Sequence, residues 1–141
     1  MRIAINAISA TAGGARTYLL NLARVLPGLG GHDYLLFAPL ATAPDLRSLP
    51  NNFCVLHDRW AERSYMARLL WEQYWLPRRL IRWKADVLVC VGNFCPLWCP
   101  VPVVLLSRNP LYFTPQFLKD LLERGHYLWA EIGRASCRER V

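Results

Sequence analysis

Five short runs of this chain are apolar on nearly every residue, and loops or stretches with helical periodicity separate most of them. They are residues 2–8 (RIAINAI), 33–38 (DYLLFA), 53–57 (FCVLH), 86–91 (DVLVCV) and 102–107 (PVVLLS). Strict alternation would mark strands with one wet face. Near-unbroken apolar runs mark strands buried on both faces, as in a parallel sheet covered by helices. Between them, residues 16–26 place Tyr18, Leu22, Val25 and Leu26 on one apolar stripe, and Pro27 and Gly28 end the helix. Residues 39–52 read as a loop rich in Pro, Asp and Asn. Residues 59–84 form a long helical stretch that Pro77 divides or kinks. Residues 114–130 form a last helix, with Thr114 as N-cap and Pro115 at its first position. The expected fold is α/β: a Rossmann-like, mostly parallel sheet with flanking helices.

A chain of 141 residues argues for one domain, large enough to bury a core without a disulfide or metal staple. With 54% apolar and 19% charged residues it is not a disordered tail. Residues 87–106 carry no charge over a transmembrane length, but Gly92, Asn93, Pro96, Pro100 and Pro102 fit two strands and a turn better than one helix. The N-terminal apolar run is interrupted by Asn6 and followed by Gly13-Gly14, too broken for a signal peptide. Cys54 and Cys90 lie in apolar runs and read as small core residues. Cys95 and Cys99 have no second Cys pair, and His32, His57 and His126 are scattered, so no metal site is expected. Reduced thiols and a cytoplasmic setting follow.

The end of the chain has a different character. Residues 132–141 (IGRASCRERV) reverse-translate as ATC GGA AGA GCG TCG TGT AGG GAA AGA GTG, which resembles a short-read sequencing adaptor read in frame. The expectation is native sequence over 1–130, an incomplete domain whose chain continues, and an adaptor-derived tail over 131–141. Setting aside 132–141 removes three Arg and one Glu, so the net charge falls from +7 to +5. A positive excess suits a phosphate-bearing ligand, nucleic acid or an anionic membrane.

In parallel sheets of this type, ligands gather at the carboxyl ends of the strands. Three loops fall there: 9–17, 92–100 and 107–113. In the first, Gly13-Gly14 lets backbone amides approach a ligand, the following helix offers free N–H groups, and Arg16 adds charge. The sequence is neither the dinucleotide fingerprint nor a Walker loop, and a tight strand-to-helix turn would use the same glycines. In the second, Asn93 is placed to meet a sugar hydroxyl or to form an Asx turn. In the third, Arg108 follows a fully apolar strand, either at a phosphate or acceptor or simply solvated.

Residues 59–84 hold four of the six tryptophans, with seven basic residues against Glu62 and Glu72. Three readings are open. Leu69, Leu70, Trp71, Tyr74 and Leu80 pack on the sheet while the arginines are solvated. Alternatively the segment makes peripheral contact with an anionic membrane. Binding to single-stranded nucleic acid is the least favoured.

Taken in order, several motifs resemble the start of group 1 (family 4) glycosyltransferases. They are RIAINAI, then Gly13-Gly14-Ala-Arg-Thr-Tyr-Leu-Leu-Asn-Leu-Ala-Arg-Val-Leu-Pro27, Trp71-Glu-Gln-Tyr-Trp-Leu-Pro77, Ala85-Asp86-Val-Leu-Val, Gly92-Asn93 and Val101-Pro-Val-Val-Leu-Leu106. The resemblance spans about residues 1–130. It implies the acceptor-side, N-terminal half of a two-domain GT-B type enzyme, retaining in stereochemistry. Such an enzyme uses a nucleotide-sugar donor, no other cofactor and no metal, and a glycan, polysaccharide or lipid-linked acceptor. It places Gly13, Gly14, Arg16 and Thr17 at the donor diphosphate, and Asn93, Arg108 and Asn109 on the acceptor side. Many members carry His-Asp or His-Asn after the fifth strand, where this chain has Ser107-Arg108-Asn109. The fragment alone is expected to be inactive. The alternative is a non-enzymatic Rossmann-like domain that binds a phosphorylated ligand.

Overall fold

The computed structural model describes residues 1–92 and 94–106, together with Lys119 and Glu123. Its centre is a five-stranded, all-parallel sheet in the order β3-β2-β1-β4-β5. The strands are β1 (Arg2–Asn6), β2 (Asp33–Phe37), β3 (Phe53–Leu56), β4 (Val87–Cys90) and β5 (Val103–Leu105). All five apolar runs became strands, each shorter than its run: β1, β2 and β3 start at the first residue and stop short of the last, and β4 and β5 lose both ends. Helix α1 (Gly13–Val25) joins β1 to β2, continuing as a 3-10 turn over Leu26–Leu29. Between β3 and β4 lie α2 (Arg59–Glu62), α3 (Tyr65–Leu70), a π-helical turn (Trp71–Trp75) and α4 (Leu76–Trp83). This is an α/β arrangement of Rossmann-like type. Among the described residues no helix is long and apolar enough to cross a membrane.

Side chains of the central strands alternate between two cores. Ala4, Leu35, Phe37, Leu88 and Cys90 pack with Ala61, Trp71, Leu76 and Leu80 from the α2–α4 layer. Ile5, Tyr34, Leu36 and Val91 pack with Leu19 and Ala23 of α1 and with Leu46. Covering both faces removes any need for a polar side, which is why the strand sequences read as continuous apolar runs.

Helix α1 starts earlier than residue 16 and is rotated from its expected stripe. Leu19 and Ala23 are its buried centre, Tyr18, Leu22 and Leu26 flank it, and Val25 is 61% exposed. Val25 lies two residues beyond Ala23, about 200° around the helix. Cys54 is also a correction: it is exposed rather than core, because β3 is the edge strand and, although Cys54 shares the sheet face of its partner Leu35, the cover over that face does not reach it.

The 59–84 stretch is broken before Pro77. Asp58 caps α2 through Trp60 N and Ala61 N, and Ser64 caps α3 through Ala67 N at 3.1 Å. Asp58 also accepts from Trp71 Nε1 at 2.8 Å and from Arg79 at 3.4 Å, tying the layer's start to its middle. Pro77 sits in the first turn of α4, directly after the π turn. A proline in an uninterrupted α-helix would clash with the carbonyl four residues back, and the wider turn relieves this. One residue is thereby inserted into the buried stripe, which steps from Trp71 to Leu76. Trp71 and Leu80 are buried as the packing reading required, whereas Leu70 and Tyr74 are 42% and 54% exposed.

Candidate functional site at the carboxyl end of the sheet

The chain leaves β1 towards β2 on one side and returns as β4 on the other, so the strand order reverses between β1 and β4. Loops that follow these two strands diverge at such a point and form a crevice. Here the crevice is narrow at its base: a Cβ on Gly92 would lie 2.9 Å from Ser9 Oγ. A larger residue at 92 would force the Ser9 hydroxyl to turn aside. Val91 N donates to Asn6 O and Leu106 N to Cys90 O, so the ladder continues up to that contact.

The glycine loop opens α1 on one side of this crevice. Gly13 has φ +57°, a left-handed conformation, and it is the first helical residue. Ala12, in the N-cap position, has no side chain able to accept from the first turn. No acidic residue lies in that turn either. These N–H groups and the positive end of the helix dipole suit an anion. Thr17 Oγ1 donates to Gly13 O at 3.4 Å, so its hydroxyl braces the loop. Arg16 pairs with Asp45 at 2.8 Å, both side chains being well exposed. An ion pair this exposed is weak, and a multiply charged ligand would compete for the guanidinium. Beside it, between α1 and residues 45–50, lies an open groove of about 470 Å³ that includes Arg24, Asp45 and Leu49. Asn93, Arg108 and Asn109, the expected acceptor-side residues, lie outside the described residues.

Beneath the crevice is a polar cluster that sequence reading missed. Asn6, the last residue of β1, is 4% exposed, and Glu72 in the π turn is 5% exposed. Asn6 Nδ2 donates to Glu72 Oε1 at 3.0 Å, and Asn6 Oδ1 accepts from Ile8 N at 3.4 Å. The pair thus fixes the first residues of the β1 loop. Burial raises the Glu72 pKa above the usual carboxylate value, opposed by the Asn6 hydrogen bond and by Arg68. Cys90 is fully buried next to this cluster. Its thiol is pushed far up, first by burial and then by Cys95, Glu72 and Cys99, so it is inert as a nucleophile. None of Cys54, Cys90, Cys95 and Cys99 is in a disulfide. Among the described residues no group of three His, Cys, Asp or Glu side chains could hold a metal ion. His57 Nδ1 lies 2.7 Å from Ala38 O beyond β3. A carbonyl only accepts, so that nitrogen carries the proton.

The only signal for Glu72 was that it is one of two carboxylates in a strongly basic stretch, which a solvated helix face explains equally well. Asn6 was legible only as an interruption of an apolar strand. Compared with known proteins, the chain matches no family model, no curated protein and no solved structure.

Proposed function

We propose that this chain is the acceptor-side, Rossmann-like half of a GT-B type retaining glycosyltransferase of group 1 (family 4), transferring sugar from a nucleotide-sugar to an acceptor hydroxyl. One observation carries the reading: α1, with no side-chain cap from Ala12 and opened by Gly13 at φ +57°, stands at the carboxyl end of β1 beside the reversal of strand order. In this reading Gly13, Gly14, Arg16 and Thr17 face the donor diphosphate, and Asn93, Arg108 and Asn109 face the acceptor. The acceptor oxygen bonds to the anomeric carbon on the face the diphosphate leaves, as the bond from that carbon to the diphosphate oxygen breaks and the hydroxyl proton passes to the departing phosphate oxygen. Backbone N–H groups and Arg16 stabilise the negative charge that develops on the leaving group. The reaction belongs to a complete two-domain enzyme acting in the cytoplasm.

Titration of the chain with inorganic pyrophosphate tests the site, and the expected result is saturable binding that Gly14→Val abolishes without loss of the helical signal. Binding unchanged by Gly14→Val removes the phosphate-loop role. The genomic reading frame beyond Ala130 tests the enzyme class. A second Rossmann-like half with a paired-glutamate motif supports the transferase. A stop codon soon after Ala130 favours a non-enzymatic domain for a phosphorylated ligand.

A further inference from the structure

The outward face of the α2–α4 layer carries more aromatic surface than its core role explains. Trp60, Tyr65, Met66, Leu70, Tyr74 and Trp75 are all exposed, Met66 by 59% and Tyr74 by 54%. The Trp60 and Trp75 rings meet at 5.0 Å, and Tyr74 stands edge-on to Trp75 at 6.4 Å, so the rings form one outside cluster. The β4–β5 loop adds to it. Leu97 N donates to Gln73 Oε1 at 2.8 Å, holding Leu97 and Trp98, 70% and 63% exposed, against the π turn. Exposed apolar surface gathered in this way marks an interaction site.

The charges of this layer are mainly positive. Arg59, Arg63, Arg78 and Arg82 are exposed, and Arg68 lies over the Tyr65 ring. Among the described residues none of these five forms an ion pair. The nearby carboxylates are turned to other tasks: Glu62 accepts from Leu40 N, Glu72 is buried on Asn6, and Asp58 caps α2 and accepts from Trp71.

We propose that this face docks the protein peripherally on an anionic lipid bilayer. Aromatic rings with polar edges settle at the headgroup boundary, and arginines beside them reach lipid phosphates while their stems stay in apolar surroundings. Charge complementarity selects an anionic partner. The aliphatic side chains select lipid over nucleic acid, since Met66, Leu70 and Ile81 have no π-face for a base but fit against acyl chains. A second copy is disfavoured because a two-fold contact would set this mainly cationic face against itself. The docked face reaches, through Leu97 and Trp98, the end of the sheet where the strand loops form the crevice. The inference stands on the surface alone and does not depend on the activity proposed above.

Vesicle flotation of the full chain is the test, with phosphatidylcholine alone and with phosphatidylcholine containing roughly a third phosphatidylglycerol. The chain is expected to float with the anionic vesicles and not with the neutral ones. The double variants Arg63→Glu/Arg78→Glu and Trp60→Ser/Trp75→Ser should each lower the bound fraction at least about tenfold at low salt. Both change exposed positions only, and an unaltered urea midpoint confirms their fold. Their affinity for pyrophosphate should match the parent chain, which separates this result from the phosphate-site test. Absence of flotation, or flotation unaffected by both variants, overturns the proposal. So does a chain dimer or an oligonucleotide complex that the same variants abolish while vesicles go unbound.

Discussion

Glu72 costs the fold free energy whenever it ionises, because the residue is 5% exposed and its carboxyl accepts from the neutral amide of Asn6. Its folded pKa is raised above the ordinary 4.5, so between the two values the folded chain keeps a proton that the unfolded chain has lost. The Glu72 contribution to stability is therefore full below about the ordinary value and is lost as pH rises through the raised one. A Glu72→Gln chain keeps an acceptor for Asn6 and should lose this falling slope. Urea midpoints measured from acid to neutral pH check it, and parallel curves for the two chains would rule it out. Arg16 offers a second test at this scale. Asp45→Asn frees its guanidinium from a surface pair worth at most about 1 kcal/mol, so pyrophosphate binding should tighten by up to about fivefold. An Arg16→Ala chain that binds pyrophosphate as tightly as the parent would exclude the residue from the site.

At the scale of elements, strands were the most legible part of the sequence and helix phase the least. A run such as Val87–Cys90 is apolar on both faces because both faces are covered, and its short length, β-branched residues and the glycine and prolines that follow separate it from a buried helix. Helix α1 was misplaced because a glycine pair reads as loop, whereas Gly13 at φ +57° already forms its first residue. The π turn was invisible. Nothing in Trp-Glu-Gln-Tyr-Trp announces a wider turn, and its effect is to exchange which residues face inward. A regular spacing of three and four buries Tyr74, and the inserted residue buries Glu72 instead. Hence the core of this layer was half legible and the polar cluster beneath the crevice was not. The α4 terminus carries a further prediction. Lys84 occupies a left-handed conformation at φ +55°, where a Cβ is unfavourable. Lys84→Gly should raise stability by about 1 kcal/mol, read as a higher urea midpoint with an unchanged slope.

For the molecule as a whole, the two cores share the same central strands. Ala4 and Ile5 are neighbours in β1 yet belong to opposite sides, as do Leu35 and Leu36 in β2. Neither layer can come away without exposing the other's sheet. Unfolding followed by tryptophan fluorescence, to which Trp60, Trp71, Trp75 and Trp83 of the α2–α4 layer contribute, should coincide with unfolding followed by far-ultraviolet circular dichroism. Separate midpoints would show that the layers unfold independently. The strand order also fixes when the fold can form. Arg2 N donates to Asp86 Oδ2 at 2.7 Å across 84 residues of chain, and Asp86 N returns to Arg2 O. During synthesis β1 emerges first and its β4 flank last, so the central strand waits, open on one edge, until nearly all of the described sheet has left the ribosome. A nascent chain paused before Asp86 would present that edge to whatever binds extended polypeptide.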